Sequence, residues 1–187
     1  MEAELGYPEP ELRDSAVRLR RWADDDLTCV EAAARDPQIP EISTVPAEYT
    51  SEGGHAYIER QQSRLPSGVG ISLAIARADD DTAIGSIVLA HRFGVQAGCL
   101  ALGYWLVPAA RGQGLTRRAV TLSCAWALQQ AGIERVEALV EPHNAASLRI
   151  VERVGFQREG LLRSYLSFAT RRGDAVMWSL VRGDPIS

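Results

Sequence analysis

The stretch from Leu102 to Val140 leaves this chain little topological choice. Leu102-Gly103-Tyr104-Trp105-Leu106-Val107 is rich in strand formers and stops at Pro108, which cannot continue a ladder. The turn Pro108-Ala109-Ala110-Arg111-Gly112-Gln113-Gly114 follows. Leu115, Ala119, Leu122 and Trp126 then step by four, three and four residues, drawing an apolar stripe along a helix that ends near Gly132. Val136 to Val140 reads as a buried strand. Because a helical crossover joins the two strands, they should lie parallel, with any ligand at their carboxyl ends.

The turn itself breaks a local rule. Arg117 and Arg118 stand in the first helical turn, where unpaired amides and the positive end of the helix dipole repel cations. A bound anion would repair the conflict. Gly112 and Gly114 lack a Cβ, so the backbone there can take positive φ and turn its amides toward phosphate oxygens. An ordinary surface turn has the same composition.

The formal net charge of -4 argues against bulk attraction to nucleic acid or a membrane surface, so an anion site must be a local basic cluster and its ligand small. All 20 basic residues are arginine. The absence of lysine removes a Walker-type phosphate loop and a pyridoxal Schiff base. Cys29, Cys99 and Cys124 are widely spaced and read as small buried hydrophobes; His55, His91 and His143 are scattered, and no metal site is expected. The N-terminus has neither a basic leader nor an apolar run, and no segment is long and apolar enough to span a bilayer, which makes a cytoplasmic protein the expectation.

With 187 residues, 46% hydrophobic and 24% charged, the chain fits one α/β domain. Residues 1–15 are expected as a flexible arm, 16–182 as the domain and 183–187 as a tail. Val17 to Trp22 alternates as a first strand. Asp24-Asp25-Asp26 offers caps for a helix ending before Pro37, and the Pro-rich stretch Asp36 to Thr50 reads as a loop. Ser51 to Leu65 is a second helix, and Ile71–Arg77 and Ala83–Leu89 an antiparallel pair around Asp79-Asp80-Asp81. Cys99 to Val107 continues the meander. Leu148, Val151 and Val154 mark a late helix, with Gly155 and Phe156 set for a Schellman ending. Leu161 to Leu180 predicts two strands about a turn at Arg171-Arg172-Gly173-Asp174.

The strings Gly103-Tyr104-Trp105-Leu106, Arg111-Gly112-Gln113-Gly114, Asn144-Ala145-Ala146-Ser147 and Val154-Gly155-Phe156, in this order, resemble the GNAT acetyltransferase superfamily, nearest its ribosomal-protein N-terminal acetyltransferase branch. The resemblance spans Val17 to Leu180. It implies a mixed, mostly antiparallel α/β sheet splayed at two parallel strands and flanked by helices, with acetyl-CoA in the opening as co-substrate. Leu106 and Val107 would extend the sheet with the pantetheine arm. The amides of Gly112, Gln113, Gly114, Leu115 and Thr116 would hold the pyrophosphate. Arg111 and Arg117 would supply the side-chain clamp, because Ala109 stands where relatives often carry Gln or Arg. The acceptor is an amine, on a peptide N-terminus or a small molecule, held by the Asp36–Thr50 loop and the second helix. A homodimer is a possible assembly.

Ala101 stands where many relatives have a glutamate base, and Val151 where many have a tyrosine acid. Ser147 becomes the candidate donor to the leaving thiolate; alternatively its hydroxyl folds back onto the helix cap. Asn144 suits the N-cap, with a contact to pantetheine or amine as an addition. Glu141, at a strand end before Pro142, is the best-placed carboxylate for deprotonating the amine, or simply a surface acid. Tyr165 resembles acceptor-site tyrosines or only packs. Arg149 and Arg153 share a helical face and either approach the adenosine phosphates or pair with Glu152 in solvent. Asp174 orients the acceptor or serves a turn.

Overall fold

The computed structural model describes residues 5–92 and 97–187. Strands β1 (Leu12–Arg13), β2 (Val17–Arg20), β3 (Gly70–Arg77), β4 (Ala83–His91), β5 (Cys99–Leu106), β6 (Arg135–Val140), β7 (Gln157–Ser167) and β8 (Arg172–Val181) form one sheet in the order β1-β2-β3-β4-β5-β6-β8-β7. Only β5 and β6 run parallel, as a helical crossover between them requires. Helices α1 (Leu27–Ala34), α2 (Ile39–Ile42) and α3 (Ser51–Gln62) precede β3; α4 (Leu115–Ala127) and α5 (Ala145–Val154) flank β6. The expected mixed sheet with flanking helices is the observed fold.

Side-chain alternation along β5 separates two working faces. Trp105 packs with Trp22 and Tyr57, at ring-centroid distances of 6.2 and 6.4 Å, on the side of α1 and α3. Tyr104 points the other way, against Cys124 of α4 and Ser147 of α5. Helix α5 ends as expected: Gly155 sits at φ +113°, its amide donates to Glu152 O, and the Phe156 amide donates to Val151 O at 3.0 Å.

Four details depart from the sequence reading. Of the expected N-terminal arm, residues 1–4 lie outside the described residues, but the remainder packs: Leu5 and Pro8 are buried and Leu12–Arg13 pairs with β2. Its polar anchor is Asp14, which accepts from the amides of Ala16 and Val17 and from Arg118 at 2.7 Å. Asp26 does not cap α1: its carboxylate reaches back to accept the Ala23 amide at 2.9 Å and binds Arg20 through two bonds of 2.8 Å, supplying the counter-charge of a nearly buried guanidinium. The Pro-rich loop contains α2, whose Pro40 lies where a missing N–H is harmless, and Asp36 accepts from the Gln38 and Ile39 amides at its start. The last turn is at Phe168–Arg171 rather than Arg171–Asp174, since Asp174 is drawn into the sheet to accept the Ser164 amide at 2.7 Å.

Candidate functional site

The parallel ladder ends at Leu102–Ala138. Beyond it β5 continues to Leu106 alongside β4, so the edge of Tyr104 and Leu106 that faces β6 has no strand partner. This is the splay. The turn after β5 and the N-terminus of α5 both open onto it.

In that turn Gly112 and Gly114 adopt φ of +78° and +74°. Among the hydrogen bonds of the described residues, none takes the backbone amide of Gly112, Gln113, Gly114, Leu115, Thr116 or Arg117. Six consecutive donors without acceptors at the start of a 13-residue helix form an anion cradle in which a positive φ turns successive N–H groups inward. The arginines divide their work. Arg111 donates through Nε to Leu106 O at 3.0 Å and pairs with Asp36 at 2.9 Å, fixing the turn to the loop before α2. Arg118 is answered by Asp14. Arg117 is exposed and has no ion pair among the described residues, which makes it the cation left for an anion.

Two expected backbone contacts need correction. The Val107 amide donates to Ile84 O at 2.9 Å, so it points to β4 and away from the opening, and the Leu106 carbonyl already accepts from Arg111. Alternation in an antiparallel ladder gives successive residues opposite hydrogen-bonding sides, so Leu106 N–H and both backbone groups of Tyr104 are the ones turned to the gap.

At the start of α5, Asn144 caps the helix by accepting the Ser147 amide at 3.0 Å. Ser147 is half-buried, and its hydroxyl faces that of Tyr104 across the opening. Burial pushes the Tyr104 phenol up to about 12, and its oxygen has no protein partner at full hydrogen-bond geometry. Arg149 and Arg153 are exposed on α5, and neither forms an ion pair with Glu152.

On the other face of the sheet lies a cavity of about 470 Å³. Its floor includes Ser86 of β4 and Gly103 of β5; its walls are Tyr57 and Arg64 of the α3 region and Glu41 to Thr44. Nothing lies within 4 Å of where a Cβ on Gly103 would stand, so this glycine keeps the floor open between cavity and splay. The β7–β8 hairpin reaches back over this face from the far edge of the sheet. Two ties hold it: Tyr165 accepts from Arg92 at 3.0 Å, and Arg171 pairs with Glu41 at 2.8 Å and with Glu141 at 2.6 Å. The Arg171 guanidinium holds the Glu141 carboxyl below the usual carboxylate range, which weakens it as a base. Glu141 and Tyr165 thus each take part in a tie between the hairpin and the rest of the sheet.

Asp36, Glu41, Arg64, Arg92, Tyr104 and Arg171 line this region or tie its parts together and were not singled out individually in the sequence. Asp36, Glu41 and Arg64 lie in the loop and helix expected to hold the acceptor, and Tyr104 in the Gly-Tyr-Trp string whose alternation sends it to the α5 side; Arg92 and Arg171 act across long sequence separations.

The family model for an acetyltransferase (GNAT) domain matches residues 16–157. The probable N-acetyltransferase YjcK of Bacillus subtilis is 36% identical over 118 residues, covering 62% of this chain and 64% of that protein, just under two thirds of its length. The uncharacterized N-acetyltransferase YoaA of the same organism is 24% identical over 173 residues, 92% of this chain and 97% of its own. Among solved structures, RimJ of Mycobacterium smegmatis in complex with CoA-disulfide superposes with a TM-score of 0.77 at 19% identity, over 91% of this chain and 85% of its own.

Proposed function

The chain belongs to the acetyltransferase (GNAT) domain family, and from that premise we propose that it moves an acetyl group from acetyl-CoA to a primary amine by direct attack in a ternary complex. One observation carries this: six successive amides without acceptors open onto the unpaired edge of β5, so a diphosphate and a chain able to pair with a strand are accommodated side by side. The residues fit the co-substrate. Gly112 to Arg117 hold the diphosphate, Tyr104 and Leu106 pair with the pantetheine through the backbone, and Arg149 and Arg153 lie on the helix beside it.

Acetyl-CoA supplies the activated acyl group, and the chain aligns it. The amine nitrogen attacks the thioester carbon, the carbon–sulfur bond breaks, and the sulfur leaves as thiolate. Ser147 donates a hydrogen bond to that sulfur, with Tyr104 beside it as a fully protonated second hydroxyl. The proton lost by the amine passes to water, and the thiolate takes one up, giving an amide and a free thiol. Holding amine and thioester within about 3.5 Å contributes several kcal/mol through proximity. With Ala101 on the strand and Glu141 held by Arg171, neither expected carboxylate is free to act as a base; an α-amine, with a reference pKa of about 8 against about 10.4 for lysine, tolerates this. Peptide N-termini and weakly basic small-molecule amines are accordingly the two acceptor classes, and a cytoplasmic homodimer belongs to the same reading.

Thiol release measured with a panel of both amine classes, beside calorimetry of acetyl-CoA binding, tests the proposal. Intersecting initial-rate lines support a ternary complex, and parallel lines or an acetylated enzyme refute it. Tight binding without turnover across the panel would make the chain a CoA-binding module instead, and no binding at all would remove the proposal.

A further inference from the structure

The cavity on the acceptor face holds a charge that the transfer reaction does not need. Arg64 lines it, partly buried, and has no carboxylate partner among the described residues. Its orientation is fixed: Nε donates to Gln61 Oε1 at 3.0 Å, and Gln61, only 1% exposed, is in turn held by Thr44 Oγ1 and Tyr57 O. The four N–H bonds on its two terminal nitrogens have no protein acceptor among the described residues. Arg64 lies near enough to the buried Tyr57 hydroxyl for its charge to act on that phenol, which burial pushes up. A second polar group lines the same cavity: Ser86 is 1% exposed, and its Oγ lies beside the Tyr57 hydroxyl without a hydrogen bond of full geometry. The guanidinium keeps donors open to the cavity and the buried Ser86 hydroxyl is incompletely satisfied, so a ligand oxygen there would find donors from both.

We propose that Arg64 selects acceptors that carry a carboxylate in addition to the reacting amine, the carboxylate binding the Arg64 guanidinium with Ser86 as a further donor. This rests on the acetyl-transfer reading of the same site. A planar monoanion matches a lone guanidinium in both charge and fork geometry, whereas a phosphate dianion would leave charge unmatched, since Arg64 is the one cation among the described residues that line the cavity. Glu41, which also lines the cavity, is already paired with Arg171 and leaves the Arg64 charge uncompensated. The acceptor is thus an amino acid or a peptide with an acidic residue near its N-terminus, two sources of one chemistry.

The test compares matched pairs on the full-length protein at saturating acetyl-CoA: ω-amino acids of increasing length against their amides, and peptides with Asp or Glu in the first two positions against Asn or Gln counterparts. At least one acid should exceed its neutral partner by about tenfold or more in kcat/KM, equivalent to about 1.4 kcal/mol, and Arg64→Gln should bring that ratio to near one through KM, with kcat nearly unchanged. The pair that shows the preference identifies the source. Neutral partners that match the acids throughout, or an Arg64→Gln ratio unchanged from the parent, overturn the proposal. Arg64→Lys, which keeps charge without the fork, should fall between; acetyl-CoA affinity by calorimetry shows that each variant is folded. If no amine turns over, the acetyl-transfer reading fails separately, and calorimetry of the same acids and amides in the presence of CoA still decides: Arg64-dependent binding of acids supports the carboxylate site, and equal binding of both refutes it.

Discussion

A methyl group added at Gly114 probes the anion cradle at its smallest scale. Its φ of +74° is a conformation that side chains resist, and no atom lies within 4 Å of the added carbon, so the cost is backbone strain alone, roughly 1–2 kcal/mol. Gly114→Ala should lower the melting temperature and, if the turn relaxes to relieve the strain, weaken acetyl-CoA binding about tenfold. A variant with normal affinity and lowered stability would leave the glycine with a purely structural role. Ser147→Ala should act differently, lowering kcat about tenfold or more while acetyl-CoA affinity stays near the parent value, because its backbone amide and the Asn144 cap survive. A loss confined to affinity would remove Ser147 from the reaction. These glycines were legible in the sequence because their requirement is local. Val107 was not: whether its amide faces β4 or the opening is set by strand register, which no neighbouring residue encodes.

At the scale of elements, the β7–β8 hairpin is the part whose position the sequence hides. Edge strands are ordinarily free to sway, yet this one is tied across the sheet by Arg171 to Glu41 of α2 and to Glu141 at the end of β6. The tie is exposed, so it orders the hairpin more than it stabilises the fold. Arg171→Met should leave the melting temperature and acetyl-CoA affinity nearly unchanged, raise the acceptor KM several-fold and increase amide exchange between Phe168 and Asp174; exchange identical to the parent would show that the hairpin stands without the tie. Periodicity found the two long helices, the parallel pair and the late Schellman ending, because each is written in consecutive residues. It missed α2 and shifted the last turn. A helix of four residues has no periodicity to read, and Arg171-Arg172-Gly173-Asp174 has turn composition although Arg171, Gly173 and Asp174 are each claimed by partners from elsewhere.

Across the whole molecule the distant elements are joined by carboxylates, which gives the fold a defined acid limit. Burial pushes Asp36 up, but the Gln38 and Ile39 amides and Arg111 outweigh it; the same balance holds Asp14 down through Ala16, Val17 and Arg118. Glu159 is lowered to about 2 by Arg135 and Ser179. A carboxyl whose folded pKa lies below its unfolded value contributes stability that is complete above the unfolded value, near 4, and is lost as pH falls through the folded one. Denaturant unfolding should therefore give a flat stability between about pH 5 and about pH 8, and a decline on the acid side that begins near pH 4 and continues toward pH 2. Asp14→Asn and Asp36→Asn should each reduce stability at pH 7 and make that decline shallower, because the ionised form they remove is the one the fold favours. The two sites are separate ties, Asp14 joining the N-terminal segment to α4 and Asp36 joining the α1–α2 corner to the cradle, so their effects should add. An acid decline equally steep in the double variant would mean that acid sensitivity resides in other carboxylates and that neither tie carries it.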